Sequence, residues 1–322
     1  MMMNRSAELL FWIGRYLERT ENHTRLIDVN YHMRHELKGS ANNYQVCKWE
    51  RLITTIGSDY SSKKDDEPMN ETTALRLLTF ERTNVNSIYS CINQARGNMR
   101  ALRQLLPDDL WDSMNSFYLW MKEQDIHNVM EQSPHLFYQR IREWLAAING
   151  TTDSVLLRGQ EWNFIQVGKF LERAENTIRI LQTIYSNLIE DHDFPFDQKH
   201  YNRMLILLKS VGGYEAFRKF HADHVTFVEV FEFIMLNSQF PRSVNFALGS
   251  LEASLLVIKQ DDYQLAALSD QAIDLTGGVK EVLSGLKAKG DGLELLQEMM
   301  NSCYQLDRTI SENFFQEEFV KA

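Results

Sequence analysis

Residues 14–29 read GRYLERTENHTRLIDV, and residues 168–183 read GKFLERAENTIRILQT. At an offset of 154 the two stretches agree at seven of sixteen positions: Gly14/Gly168, Leu17/Leu171, Glu18/Glu172, Arg19/Arg173, Glu21/Glu175, Asn22/Asn176 and Arg25/Arg179. Tyr16/Phe170 and Leu26/Ile180 are conservative. The offset is close to half of the 322-residue chain. A tandem duplication is one reading; a packing motif reached twice is the other.

On a helical wheel centred on Leu17, Leu10, Ile13, Thr20, Thr24 and Ile27 share one face. Asp28 falls about 20° from its centre, Glu21 about 40°, Gly14 about 60°, Arg25 about 80° and Glu18 about 100°. Phe164, Val167, Leu171, Ala174, Ile178 and Leu181 repeat the apolar face in the second copy, with Gln182 in place of Asp28. The carboxylates therefore border a buried face, where an acid needs charged or hydrogen-bonding partners. Glu21/Arg25 and Glu175/Arg179 are predicted i,i+4 pairs. The glycine beside the stripe admits a second backbone at close range, while Arg19 and Arg173 are expected to point away from the apolar face.

Three readings of this stripe stay open: a salt-bridge network between packed helices, a polar pocket for a ligand or partner, and a carboxylate-bridged metal site. In the enzymatic version Glu18, Glu21, Glu172 or Glu175 serves as acid or base, with a pKa raised by burial. Arg96 and Arg100 then clamp a substrate carboxylate or phosphate, and Arg25 and Arg179 are further ligand-binding candidates. Against a metal, no histidine stands three residues after any of the four glutamates, as di-iron bundles require. Asp28, His32, His35 and Glu36 have spacings compatible with ligands on one helix face. Such pairs are common on solvated helices, so His32 and His35 are weak metal candidates and no cofactor is expected.

Outward from the repeat, the pattern is helical throughout, with only 15 glycines and 5 prolines to interrupt it. Periodicity predicts helices over about 6–37 and 44–56, then a polar loop over 57–70. Thr72 or Thr73 caps a helix through Leu78 and Phe80; Asn84 or Asn86 caps the next, to Leu106; Asp108 caps one carrying Trp111, Phe117 and Trp120. A helix over 134–148 is expected to stop at Asn149-Gly150. Asp153 or Ser154 opens a long helix to about 189, followed by a turn over 192–195. Further helices are placed at 201–208, 214–220, 224–236, 242–258, 263–286 and 292–315, with Ser238 and Pro241 marking one start and Gly277-Gly278 interrupting another. No hairpin signal appears. The fold class is all-α, a large multi-helix bundle with an internal pseudo-repeat of a Glu/Arg-rich helix. The domain reading is one unit over 1–322, with two pseudo-symmetric halves (about 1–150 and 151–322) as its inner organisation.

Net charge is −10, from 34 basic and 44 acidic residues. That balance argues against nucleic acid and against an anionic membrane surface. No stretch approaches the roughly 20 apolar residues of a membrane span. Cys47, Cys91 and Cys303 are odd in number and far apart, which suits a reducing cytoplasm. Arg96, Arg100 and Arg103 line one helix face, either as an exposed basic stripe or as an anion clamp that meets the Glu stripes. Arg242, just after Pro241, is a further anion-ready position. Cys91 has no histidine tied to it, His221 and His224 flank Asp223 in a structural or exposed setting, and no Walker, GxGxxG, GxSxG or HExxH motif is present.

The run Phe11-Trp12-Ile13-Gly14-Arg15-Tyr16-Leu17-Glu18-Arg19-Thr20-Glu21-Asn22 resembles the opening signature of the bacterial alpha-E family, a domain of unknown function. Further resemblance lies in Asn86-Ser87-Ile88, Ala95-Arg96-Gly97-Asn98, Trp162 leading into residues 168–175, Tyr214-Glu215-Ala216 and Phe240-Pro241-Arg242-Ser243-Val244, in order over most of 4–258. The chain departs from the pattern before Trp162, where Gln160-Glu161 replace an acid followed by glycine. The resemblance implies an all-helical fold and a setting beside ATP-grasp ligases and transglutaminase-like peptidases. The implied role is an accessory protein of a cytosolic peptide-modification or amide-ligation system that binds those partners or their peptide. The alternative is an enzyme using the Glu/Arg stripes on a peptide or amino acid, metal-assisted or not. Self-association is compatible with either.

Overall fold

The computed structural model describes residues 4–36, 48–58, 69–190, 198–221, 225–259 and 292–315. Among them are thirteen helices and no strand. They are α1 (Asn4–Glu36), α2 (Trp49–Ile56), α3 (Glu71–Thr79), α4 (Ile88–Ala101), α5 (Asp108–Lys122), α6 (Ile126–Gln132), α7 (Pro134–Val155), α8 (Gln160–Glu190), α9 (Gln198–Ser210), α10 (Tyr214–Phe220), α11 (Phe227–Leu236), α12 (Val244–Lys259) and α13 (Gly292–Phe314). Residues 44–47 of the second expected helix, 59–68 of the loop, the 192–195 turn, Asp223, His224, the 263–286 helix with Gly277-Gly278, and Cys47 lie outside the described residues.

Several boundaries differ from expectation because another side chain supplies the cap. Asn70, a stronger cap than threonine, accepts the Thr73 N–H at 2.8 Å and starts α3. Ser87 accepts the Ser90 N–H and starts α4, while Asn84 is occupied by the Asn86 N–H. α4 stops at Ala101, short of Leu106, and Pro107 rather than Asp108 occupies the cap of α5. α7 runs through Asn149-Gly150 to Val155. Burial of Ile148 and Thr152 outweighs the roughly 1 kcal/mol that a helical glycine costs. α8 consequently opens at Gln160. Ser243, not Ser238, caps α12 through the Phe246 N–H, and α11 opens with a capping box of Thr226 and Glu229.

The two long helices carrying the repeat, α1 and α8, cross at the centre of the molecule. α4 and α7 cover α1; α12 and α13 cover α8; α5 lies over α4 and α7. Buried apolar residues from both halves join one continuous cluster, from Ala7 and Leu10 in α1 to Leu306 and Ile310 in α13. The crossing is close because each helix presents a glycine to the other's backbone. A Cβ on Gly14 would lie 2.0 Å from the Ile165 carbonyl oxygen, and one on Gly168 would lie 2.0 Å from the Phe11 carbonyl oxygen. Phe11 and Ile165 are themselves related by the offset of 154, so the contact is reciprocal, as across a two-fold axis.

The pseudo-symmetry reaches beyond the repeated helices. Before α4, the Ser87 N–H donates to Asn84 O and Cys91 N–H to Ser87 O; before α12, the Ser243 N–H donates to Phe240 O and Ala247 N–H to Ser243 O. Each turn hands a backbone carbonyl to the central helix it covers. His23 of α1 pairs through Nδ1 with Asn86 O at 2.9 Å, and Thr177 of α8, its counterpart at offset 154, donates to Arg242 O at 3.4 Å.

Candidate functional site

The Glu-Arg dipeptides of the repeat meet across the glycine crossing. Arg173 Nε and Nη2 donate to the two Glu18 oxygens at 2.8 and 2.6 Å. Arg19 Nε and Nη2 donate to the two Glu172 oxygens at 2.7 and 2.9 Å. Each is a bidentate fork, the strongest form of this pair. Arg19 and Arg173 thus do the opposite of what the wheel suggests. α1 is surrounded by α8, α4 and α7, so more than one of its faces is buried. The face toward α8 is centred near Gly14 and Glu18 rather than Leu17, which brings both arginines within reach.

Around the two forks the symmetry breaks. On the α1 side, Arg242 reaches Glu18 at 3.2 Å, Glu21 at 3.2 Å and Asn22 at 2.7 Å, and Arg25 holds Glu21 at 2.6 Å. On the α8 side, Arg15 bridges Glu172 at 2.8 Å, Glu175 at 2.7 Å and Asp307 of α13 at 2.9 Å. The expected Glu175/Arg179 pair gives way to Arg15, and Arg179 turns to Asn176 Oδ1 at 3.0 Å. Arg15 has Lys169 as its repeat counterpart, and Lys169 reaches Asn149 instead, at 3.1 Å. Periodicity does not mark Arg15; its trace in the sequence is a basic residue directly after the glycine in both copies.

The electrostatics follow from this pairing. Burial alone would raise the Glu18 carboxyl, but Arg173 and Arg242 outweigh it and hold it at about 2. Burial also opposes ionisation of Glu172, and Arg19 with Arg15 overcomes it, placing that acid well below the usual carboxylate range. Glu175 goes the other way: burial raises it and Arg15 does not fully compensate. The expectation of raised acids is thus met at Glu175 and reversed at Glu18 and Glu172. Burial and the nearby Arg19 lower His23 to about 3, so it is neutral, with a buried Nε2 that has no hydrogen-bond partner. Burial pushes Cys91 up to about 12 and raises Cys303 as well.

Arg96 and Arg100 of α4, and Arg103 in the turn after it, stay apart from the Glu stripes. α4 turns Ile88, Ile92, Ala95 and Met99 inward, which leaves the arginine face toward α5 and solvent. Arg96 bonds Asn115 at 2.9 Å and lies over Tyr118; Arg103 pairs with Asp108 at 3.1 Å; Arg100 is exposed. His32 and His35 also diverge, His35 toward Glu71 at 3.2 Å and His32 toward Asp28 at 4.0 Å.

Beside the α8 stripe an open cleft of about 1040 Å³ runs between α2, α8 and α13. Arg179, Gln182 and Asn187 form its floor, with Arg51 and Glu50 on one wall and Glu298 on the other. Its lining carries both signs of charge and several amides, which suits a peptide or another zwitterionic chain more than a simple anion.

No curated protein matches this chain, and no solved structure does. The sequence does match, over residues 2–315, a family described as a predicted alpha-helical domain with a conserved ER motif. The Glu-Arg pairs at 18–19 and 172–173, which here clamp two helices together, fit that description. The chain belongs to the Alpha-E family.

Proposed function

We propose that this chain is a non-catalytic accessory protein of a cytosolic peptide-modification or amide-ligation system. It binds an ATP-grasp-type ligase, a transglutaminase-like protein or their peptide, through the cleft beside Arg179. In this reading the chain is one domain built from two pseudo-symmetric halves, and Glu18, Glu172, Arg19 and Arg173 are scaffold.

The observation that supports a binding role is the state of the buried acids. Glu18, Glu21, Glu172 and Glu175 all sit within ion-pair distance of an arginine. A general base needs an open lone pair and a pKa near the working pH; Glu18 and Glu172 have neither. Glu175 is raised, and Arg15 occupies both its oxygens; Asp307, also raised by burial, is bonded to the same arginine. The buried thiols of Cys91 and Cys303 are protonated and no better placed. The cleft, by contrast, is open and bordered by charged and amide side chains. The partner identities rest on the family resemblance.

Co-expression of the full chain with the ligase and the transglutaminase-like protein tests this. A complex should co-purify, and Arg179→Glu should abolish it without changing the helical spectrum. Repeated failure of the wild-type chain to retain either partner or their peptide would reject the reading. Turnover of a peptide by the isolated chain, lost in Glu175→Gln, would establish the enzymatic alternative instead.

A further inference from the structure

Asp28 lies on α1 about 20 Å along the helix from the Gly14 crossing. It is 5% exposed and has three polar neighbours. His135, from the first turn of α7, sits with Nδ1 at 2.9 Å from Asp28 Oδ1. His32, one turn further along α1, has Nε2 at 4.0 Å from the same oxygen. Arg142 of α7 donates to the other oxygen, Oδ2, at 2.7 Å. The two imidazole rings stand edge to face with centroids 4.4 Å apart. One ligand atom from each of Asp28, His32 and His135 lies within 4.8 Å of the other two.

We infer that Asp28, His32 and His135 form a binding site for a borderline divalent transition ion of the zinc class. Bonds of about 2.0–2.1 Å at tetrahedral angles separate neighbouring ligand atoms by roughly 3.3 Å. The distances of 2.9 and 4.0 Å from Asp28 Oδ1 bracket that figure and all three ligand atoms lie within 4.8 Å of one another, so side-chain shifts of up to about 1.5 Å suffice. Two imidazoles and one carboxylate suit zinc, cobalt or nickel, and suit magnesium or calcium poorly. The donors come from two helices already packed together, which is the preorganisation a site needs. The i,i+4 spacing of Asp28 and His32 puts both on one face of α1. Arg142 opposes the ion's charge, but by fixing Oδ2 it leaves Oδ1 directed to the metal, the orienting role that outer partners of ligating carboxylates play. The histidine side chains are 46% and 40% exposed, so an ion has a path in and a coordination position stays open to solvent or a partner's side chain.

The ligand set differs from a set confined to α1. His35 is drawn off to Glu71, and its place is taken by a histidine 103 residues further along the chain than His32. The site is separate from the cleft beside Arg179, so its test does not depend on the binding role proposed above.

The experiment uses the full, tag-free chain, stripped with chelator and dialysed to equilibrium against zinc at low micromolar concentration, with magnesium in parallel. Elemental analysis should find close to one zinc per chain and no retained magnesium. Cobalt loading should give the visible absorption of a low-coordinate nitrogen/oxygen site. His135→Ala and the His32→Ala/His135→Ala double variant, both changed at part-exposed positions, should keep the helical spectrum and lose at least tenfold in zinc affinity. Asp28→Asn should do the same where it folds. Zinc uptake below about a tenth of an ion per chain, or uptake equal in wild type and the double variant, would overturn the assignment.

Discussion

Replacing Gly14 or Gly168 with alanine tests the crossing on which the central architecture depends. The added Cβ would stand 2.0 Å from a backbone carbonyl oxygen of the facing helix. A tolerable carbon–oxygen approach is about 3.3 Å, so the axes must separate by more than about 1 Å. The obstacle is helical backbone and cannot rotate aside. That displacement stretches the four N···O contacts of the Glu18/Arg173 and Glu172/Arg19 forks, now 2.6–2.9 Å, beyond good hydrogen-bond geometry. Overpacking a tight core costs about 1–3 kcal/mol, and weakening two buried forks adds to it. Alanine in a helix returns only about 1 kcal/mol of intrinsic propensity. Each substitution should therefore destabilise by about 2 kcal/mol or more, and the two by similar amounts, because the contact is reciprocal. Gly97, Gly150 and Gly249 are internal controls: all three lie within helices, and a Cβ there meets nothing within 4 Å. Their alanine variants should gain about 0.5–1 kcal/mol. Urea unfolding followed by circular dichroism and extrapolated linearly measures all five. If Gly14→Ala or Gly168→Ala tracks Gly97→Ala, the helices do not cross as described.

A double-mutant cycle on Glu18→Gln and Arg173→Met should show coupling of about 2 kcal/mol or more, because each single change strands a buried charge; coupling under about 0.5 kcal/mol would mean the fork is solvated. At neutral pH, Glu172→Gln should cost more stability than Glu175→Gln, since Glu172 is held below the carboxylate range by two arginines while Glu175 is raised; equal losses in urea unfolding would contradict this. Acid should act in two windows. His23 is lowered from 6.5 to about 3, so the unfolded chain takes up its proton first and stability falls as pH drops below about 6.5 toward 3. Glu18 is lowered from 4.5 to about 2, so its contribution, on the order of 3 kcal/mol, is present above 4.5 and lost as pH falls toward 2. His23→Gln should flatten the upper window of a stability-against-pH curve and leave the lower one. Arg25→Ala should destabilise, by about 1 kcal/mol, through the loss of the nearer of Glu21's two arginine partners, whereas Arg179→Ala should stay within about 0.5 kcal/mol of wild type in the same assay.

What the sequence makes legible here is what depends on local pattern. The apolar period and the shared GxxLERxEN run are enough to place α1 and α8, and to foresee a buried carboxylate stripe beside a glycine. The wheel fails at Arg19 and Arg173 because it assumes one buried face per helix, and α1 is enclosed on several. Helix ends fail where a side chain one to three residues away supplies the better cap, as Asn70 and Ser87 do, or where tertiary burial carries a helix through a stop signal, as at Asn149-Gly150. The equivalence of the turns before α4 and α12 is hidden for another reason. It resides in backbone hydrogen bonds, shares only Ser87/Ser243 as an identity, and runs at an offset of 156 rather than 154. Contacts such as Arg15 with Asp307, or Asp28 with His135, join residues far apart in the chain and leave no periodic trace.

The two copies are alike at the helix crossing and unlike in the ring of side chains around it. The glycine crossing and the reciprocal Glu-Arg forks are matched atom for atom across the pseudo-axis, as expected of elements whose task is to fix two helices. Divergence starts one shell out. Arg25 is tied to Glu21 and lies against the backbone at Gly212. Its counterpart Arg179 loses the equivalent acid to Arg15 and borders the open cleft. The substitution that frees it is the pair Arg15/Lys169: an arginine long and forked enough to span Glu172, Glu175 and Asp307 at once, against a lysine that reaches one amide. A single asymmetric residue beside a symmetric clamp thus moves one guanidinium from its acid to an amide, Asn176 Oδ1, at the border of the cleft, on one side alone. Under the binding role proposed above, that asymmetry is why the cleft borders Arg179 and not its counterpart Arg25.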